Sequence, residues 1–491
     1  MTKEILINSS PAECRIALVE DRVLQEVFIE RHHVESMVGN IYKGTVQRVI
    51  RGMQSAFVSI EANRNAFLHV TDIAMELDPG QKADRLDGRI EERIRQGEQL
   101  LLQVTKEPTD SKAARVTTRI TLASRYLVMT PGSTQVRVSL KIEDENERER
   151  LKDFITICQG DFSAGFIART AAAGVELESL QRDADLLEAR WQDIMRRFRL
   201  ESSGSLLYRE LPVLLKVMRD IVFDDLTRIT VDDDRALVEV QDFLADFLPD
   251  QLDCLTRATS GQNLFDRYGL EEQIQAALES RVALNSGGYL VIEQTEAMTT
   301  IDVNTGSYLG SRHLSETIFR TNLEAAEAIP KQLRLRNVGG IVVVDFIDMK
   351  TEDEKQELLD CLHAGLLEDP IPCGLSLVST LGLVEITRKR SGKSLQMMLS
   401  QPCLHCHGLG LVNSTDALAA AVLREVYLRR REFENSSCLV LAGQELVDRL
   451  HTGYRKEVQA MYQDHAVVLK LSVSPELCED EFRLIQPAEV Q

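Results

Sequence analysis

Residues 286–306 read SGGYLVIEQTEAMTTIDVNTG, and the rest of the chain is best read outward from them. A glycine pair closes a helical stretch, and Tyr289 to Glu293 and Met298 to Val303 then alternate as short strands do. In Thr300-Ile301-Asp302-Val303-Asn304, period two sends Ile301 and Val303 to the core face and Asp302 and Asn304 to the opposite one. Further on, Gly340 to Phe346 reads as a fully apolar, buried strand that Asp345 interrupts with a carboxylate. Burying that charge is expensive unless it is paired or metal-bound. Two carboxylates at neighbouring strand ends suit a hard cation such as Mg²⁺, which takes one or two of them and keeps water and phosphate in its other positions. The plainer alternative has both aspartates capping turns.

Around this centre the pattern is α/β, with a long helix over Ser315 to Leu335, kinked at Pro330, and another over Glu352 to Leu366. Towards the N-terminus, apolar spacing predicts helices over Leu180 to Arg199, Leu207 to Leu226, Ala236 to Phe247 and Leu270 to Val282. From Val38 to about Val128 short strands with frequent Gly predict a closed barrel, with a charged insertion from Ala74 to Gln99. The first 30 residues read as three strands, the last two joined by a hairpin at Asp21-Arg22. Beyond Gly410 a small α+β unit begins with a helix from Ala417 to Arg431.

Length and charge bound the function. At 491 residues several domains are expected. With 57 basic against 77 acidic side chains, net −20, the chain does not coat polyanions indiscriminately, so any nucleic acid must be held by local patches. Nine scattered cysteines fit reduced thiols, and no secretory leader or membrane-length apolar run is apparent, so a cytoplasmic location is expected.

Four further clusters carry chemistry. Cys403-Leu404-His405-Cys406-His407-Gly408 has the spacing of half a zinc site. The other half comes from His405 and His407 or from the same cysteines of a second copy, unless the pair is redox-active or incidental. Lys43, Phe57, Phe67, His69 and Lys112 in the barrel combine aromatics and cations suited to stacking bases and tracking phosphates, although both phenylalanines fit a core equally well. Arg169-Thr170 could hold one phosphate. The run Thr387 to Lys393 is the densest positive patch near the proposed metal segment.

Together these stretches, with Val38 to Gly44 (VGNIYKG), Gly165 to Gly174 (GFIARTAAAG), Gln332 to Met349 (QLRLRNVGGIVVVDFIDM) and Leu383 to Arg390 (LVEITRKR), resemble the ribonuclease E/G family over nearly the whole chain. The resemblance implies a multidomain α/β fold: an RNase H-like subdomain at 1–36 and 213–280, an inserted S1-type RNA-binding barrel at 37–120, a 5′ sensor at 121–212, a DNase I-like domain at 281–400, a zinc-link at 401–413 and a small dimerisation domain at 414–491. It implies that Asp302 and Asp345 hold catalytic Mg²⁺, that Asn304 positions the ion or the scissile phosphate, and that activated water leaves 5′-phosphate and 3′-hydroxyl ends. Arg169, Thr170 and the Val128 backbone fall on the family's 5′-monophosphate pocket. Phe57, Phe67, Lys112 and Lys43 fall on the RNA-gripping barrel. Cys403 and Cys406 fall on a Zn²⁺ half-site shared between two protomers.

The implied activity is endonucleolytic cleavage of single-stranded A/U-rich RNA in ribosomal RNA 5′-end maturation, tRNA processing and mRNA decay, by a homodimer, with a tetramer left open. The chain departs from E-type members at Ser124 (Gly there), at Thr380-Leu381-Gly382 (an Arg near the scissile strand there) and at Leu404 (Pro there). The rival readings are a non-cleaving RNA-binding or assembly factor on the same fold, against which Asp302, Asn304 and Asp345 argue, and a metal-dependent deoxyribonuclease, separable by its indifference to 2′-hydroxyls.

Overall fold

The computed structural model describes all residues except 1, 34–35, 62–63, 75–88, 109–111, 134, 163, 222–225, 260–262, 307–313, 407, 434–436, 476, 478–479 and 486–491. Most of the charged insertion 74–99, and His407 of the zinc motif, therefore lie outside the described residues. The chain divides into two units, 1–398 and 399–491.

In the first unit, strands Lys3–Ser9, Glu13–Glu20 and Val23–Arg31 pair antiparallel, and Asp21 and Arg22 take positive φ (46° and 69°) in the tight turn between the last two. Lys3–Ser9 also pairs in parallel with Leu226–Val231, so the chain leaves this sheet after Arg31 and returns to it nearly two hundred residues later. The first part of the intervening chain forms the barrel. Ile41–Ile50, Ser55–Glu61, Arg64–His69, Ala114–Thr117 and Gln99–Lys106 pair in that order, and the last closes onto the first. Ala56, Val58, Ile60, Ala66 and Leu68 fill its interior.

Next comes a four-stranded sheet, ordered Val136–Val138, Ala164–Ala168, Leu127–Pro131, Leu122–Ala123, packed with helices Glu145–Phe162 and Leu177–Leu200. Arg169 and Thr170 follow its second strand directly.

The catalytic candidates lie on a six-stranded sheet, ordered Arg281–Ala283, Tyr289–Gln294, Met298–Asn304, Gly340–Asp345, Leu383–Arg388, Cys373–Leu375. Met298–Asn304 and Gly340–Asp345 run parallel, joined through the helix Leu314–Leu335. That helix and Glu352–Leu367 supply Ala325, Ile329, Leu333, Leu358 and Leu362 to one apolar core against Ile301, Val303, Val342 and Val344.

The second unit is a three-stranded sheet, Val468–Val473, Ser437–Ala442, Phe482–Ile485, with helices Thr415–Leu428, Gln444–Thr452 and Arg455–His465.

Three expectations are corrected. The single helix over 207–226 is a strand, Leu206–Tyr208, a helix, Val213–Ile221, and a strand, Leu226–Val231; barrel pairing claims the first and the N-terminal sheet the last. The helix over 270–282 stops at Ala276 because Arg281–Ala283 pairs with Tyr289–Gln294. Gly340–Asp345 is not buried on both faces: Val342 and Val344 are enclosed, while Ile341 and Asp345 are exposed, because the sheet's helices cover one side.

Candidate active site and RNA interface

Alternation in Met298–Asn304 leaves Thr299, Ile301 and Val303 buried and turns Met298, Thr300 and Asp302 outward. Asp302 is the ladder partner of Asp345, so their Cα atoms lie one strand spacing apart, about 4.8 Å, with both side chains on the uncovered face. Asn304 Nδ2 donates to Asp302 Oδ2 at 2.7 Å, fixing which carboxylate oxygen stays free. Behind them Asn322, fully buried, donates from Nδ2 to the Ile347 carbonyl (2.7 Å) and accepts the Ile347 N–H at Oδ1 (3.1 Å), pinning the chain two residues beyond Asp345. Gly288 lies so close to Asn304 that a Cβ there would sit 2.7 Å from its carbonyl oxygen, which explains the second glycine of Ser286-Gly287-Gly288.

The donor set fits a hard divalent cation. Two carboxylates project together into solvent, and among the described residues no Lys or Arg is paired with either. No third His, Cys, Asp or Glu completes a metal cluster with them among the described residues, so the other coordination positions fall to water and substrate phosphate.

The basic run beside the sheet is not uniformly a surface patch. Arg388 is 3% exposed, with Nε and Nη2 on the Asp369 carboxylate (2.7 and 3.3 Å) and Nη1 on the Val338 carbonyl (3.0 Å), so it braces the sheet. Lys389, Arg390 and Lys393 remain exposed. Thr380 and Leu381 sit in an exposed turn leading into Leu383–Arg388.

The Arg169 guanidinium is held before any ligand arrives. Its Nη1 donates to the Ser124 carbonyl and to Asp220 Oδ1, both at 2.7 Å. Asp220 also receives Arg219 Nε and Nη2, each at 3.0 Å. Burial alone would push the Asp220 carboxyl up, but Arg219 and then Arg169 hold it below the usual carboxylate range. Ser124 turns its hydroxyl into the protein, onto Asp183, which also accepts the N–H groups of Tyr126 (3.0 Å) and Leu127 (2.9 Å). Burial raises the Asp183 carboxyl despite these bonds. Ser124 in place of Gly thus leaves its carbonyl free for Arg169. Thr170 is exposed, with Oγ1 2.8 Å from Ser139 Oγ. Val128 stands opposite Ala123 and Ile167, with strands on both sides; the Arg169 guanidinium meets the Ser124 carbonyl, and the Arg169 N–H donates to the Tyr126 carbonyl at 2.8 Å.

On the barrel, Phe57 and Phe67 are ladder partners on the outer face, half-exposed, with ring centroids 6.1 Å apart in an edge contact; His69 stacks on Phe67 at 6.4 Å. They are surface aromatics, since the core positions between them carry Ala, Val and Leu. The ladder extends this row to Arg48 beside Phe57 and Arg115 beside Phe67, two cations that sequence spacing did not single out. Arg115 is held by Asp72 at 2.7 Å. Lys112 is exposed, just before strand Ala114–Thr117.

Lys43 requires correction as an RNA contact. It is 7% exposed, and its Nζ donates to the carbonyls of Phe198 and Glu201, both at 2.8 Å, at the C-terminal end of helix Leu177–Leu200. A cation there neutralises unpaired helix carbonyls, so Lys43 joins the barrel to that helix.

In the second unit, Cys403 is exposed, and N–H groups of Cys406 and His405 aimed at its sulfur, with the Cys406 thiol, lower its pKa. Gly410 N–H donates to Cys406 Sγ at 3.3 Å. Backbone donors on the Cys403 sulfur favour its thiolate, the form that binds zinc. His405 lies 4.0 Å from Asp480. Leu404 is 82% exposed and leaves the turn intact.

The chain is similar in sequence to known proteins. Residues 121–391 match the model of the ribonuclease E/G family and residues 35–119 that of the S1 RNA binding domain. The chain is 42% identical to ribonuclease G of Salmonella typhimurium (strain SL1344), over 99% of this chain and 100% of that protein. It is 43% identical to ribonuclease G of Escherichia coli (strain K12), over 92% of each. To ribonuclease E of Escherichia coli (strain K12) it is 33% identical over 86% of this chain, which matches 40% of that longer protein.

Proposed function

The chain belongs to the ribonuclease E/G family and is an endoribonuclease, and from that premise we propose that it cuts single-stranded, A/U-rich RNA with Mg²⁺, faster when the 5′ end carries a monophosphate. The observation that carries the reading is the in-register pairing of Asp302 and Asp345 on an uncovered sheet face. Asp302 and Asp345 would hold the ion, with Asn304 orienting Asp302; bound there, Mg²⁺ would supply Lewis acidity towards the phosphate and activate water. Water attacks phosphorus, the P–O3′ bond breaks, and the fragments leave with 3′-hydroxyl and 5′-phosphate ends.

The half-exposed rings of Phe57 and Phe67 stack unpaired bases, and Lys112 follows the phosphates. Arg169 and Thr170 receive the 5′-monophosphate. The substrates proposed are ribosomal RNA precursors, transfer RNA precursors and messenger RNA, in the cytoplasm. No helix among the described residues is long and apolar enough to cross a membrane. Cys403 and Cys406 offer half a tetrahedral Zn²⁺ site, which a second copy of the chain completes in a homodimer. Native mass measurement should give about one zinc per two chains; one per chain excludes the shared site.

The deciding experiment is cleavage of a short A/U-rich RNA, bearing a 5′-monophosphate or a 5′-hydroxyl, by wild type and Asp302→Asn in Mg²⁺. Faster cutting of the monophosphorylated RNA, abolished by the substitution, is expected. Equal cutting of both removes the sensor and keeps the nuclease.

A further inference from the structure

Lys141 links the sheet that carries Arg169 and Thr170 to the sheet that carries the catalytic aspartates. It follows strand Val136–Val138 by three residues. Ser139, between them, is tightly tied: its N–H donates to the Ala168 carbonyl (2.9 Å), its carbonyl accepts Arg148 Nη1 (2.8 Å), and its hydroxyl pairs with Thr170 Oγ1 (2.8 Å). The Lys141 N–H donates to that same Ser139 hydroxyl at 3.3 Å.

From this turn the Lys141 ammonium reaches the other sheet, donating to the carbonyls of Asp369 (3.0 Å) and Pro370 (3.3 Å) just past helix Glu352–Leu367. The Asp369 carboxylate grips Arg388, and this ion pair is almost completely buried. Arg388 ends the strand whose first residue, Leu383, is the ladder partner of Asp345.

We infer that Lys141 is a positioning residue through which an occupied 5′-phosphate pocket sets the pose of the catalytic sheet. The inference rests on the sensor reading above. Either hydroxyl of the Ser139–Thr170 pair can be the donor when the pocket is empty. A phosphate oxygen accepts only, so it fixes the direction: Thr170 donates to phosphate, Ser139 donates to Thr170, and Lys141 N–H donates to Ser139. Hydrogen bonds aligned head to tail strengthen one another. The turn that aims the ammonium is then ordered, and the loop at 369–370 is held against Arg388 and its strand. Pocket occupancy thereby biases the catalytic sheet without the phosphate touching it, as coupling between distinct sites requires.

The test measures RNA binding and single-turnover cleavage separately, with 5′-monophosphate and 5′-hydroxyl RNA, for wild type, Lys141→Met, Lys141→Arg and Arg169→Gln in Mg²⁺. Lys141→Met should keep the monophosphate preference in binding but lose about five-fold of the preference in rate, the low end of site-to-site coupling because the lysine is exposed. Its rate on 5′-hydroxyl RNA should change less than about two-fold. Lys141→Arg, able to reach the same carbonyls, should restore the preference. Arg169→Gln should lose the preference in both binding and rate. Retention of the full rate preference by Lys141→Met overturns the inference and leaves the sensor standing. Loss of the binding preference by Lys141→Met overturns it too, because the lysine is then part of the pocket. A wild type without preference in either measurement removes the sensor and this role together.

Discussion

Two carboxylate sites on one sheet are built on opposite terms. At one end Asp369 and Arg388 close on each other with 2% of either side chain exposed. At the other, Asp302 and Asp345 stand side by side in solvent, and the contact between them and the protein that fixes geometry is an amide, Asn304 on Asp302. Strand, core and helices are shared, so the difference lies in what the protein supplies: a cation where the carboxylate braces the fold, and, among the described residues, none where a cation is to be recruited. Stability and chemistry should therefore separate cleanly between the two ends.

The largest effect should come at the open end. Asp345→Asn removes half the anionic donor set, and cleavage should fall by roughly a thousand-fold or more, about 4 kcal/mol of transition-state stabilisation. Because no Lys or Arg among the described residues is paired with Asp345, the unfolding midpoint should scarcely move. A matched loss of both cleavage and midpoint would show that Asp345 is structural after all.

Asp369→Asn is the converse. It leaves the Arg388 guanidinium buried without its counter-ion, and breaking one side of such a pair typically destabilises by about 3–5 kcal/mol. Calorimetry should show the first unit unfolding at clearly lower temperature. Cleavage of 5′-hydroxyl RNA well below that temperature should keep most of its rate, since Asp302 and Asp345 are untouched.

The pocket around Arg169 lies between these extremes, because Asp220 is shared by Arg219 and Arg169. The Asp220 carboxyl is held below its ordinary range, so the stability it contributes is fully present above the unfolded carboxylate pKa of ~3.9 and is lost as pH falls through the lower folded value. The Asp220→Asn variant should therefore be less stable than wild type at neutral pH, and the gap should narrow only at pH below about 4. Chemical denaturation across pH 3 to 7 (roughly the carboxylate range and above) checks this, and a gap that closes already near pH 6 would contradict it.

The contrast also explains what could be read from the sequence. Thr300 to Asn304 was legible because alternation is local: one strand's own residues declare its two faces. Asp345 reads as buried because Val342 to Val344 are apolar, whereas its exposure depends on the helices Leu314–Leu335 and Glu352–Leu367 packing on one side only, which no window of a few residues contains. Arg388 looked like surface charge for the same reason, its partner being nineteen positions away. Asp183, Asp220 and Asn322 gave no local signal, since each acts on backbone or side chains brought near by the fold. Phe57 and Phe67 were ambiguous until the ladder put both on the outer face of the barrel.

The smallest effect, and the finest test of the same distinction, concerns two barrel lysines that spacing could not separate. Lys112 is exposed, while Lys43 gives its ammonium to the carbonyls of Phe198 and Glu201. A phosphate contact on single-stranded RNA contributes about 0.7 to the slope of log affinity against log salt. Lys112→Ala should therefore reduce that slope by at most this amount and leave the fold unchanged. Lys43→Met should leave the slope alone and lower the unfolding midpoint, because two helix carbonyls lose their donor and burial keeps water from replacing it fully. If the slope instead responds to Lys43 and not to Lys112, the ammonium must leave those carbonyls when RNA binds, and the barrel and helix Leu177–Leu200 must part with it.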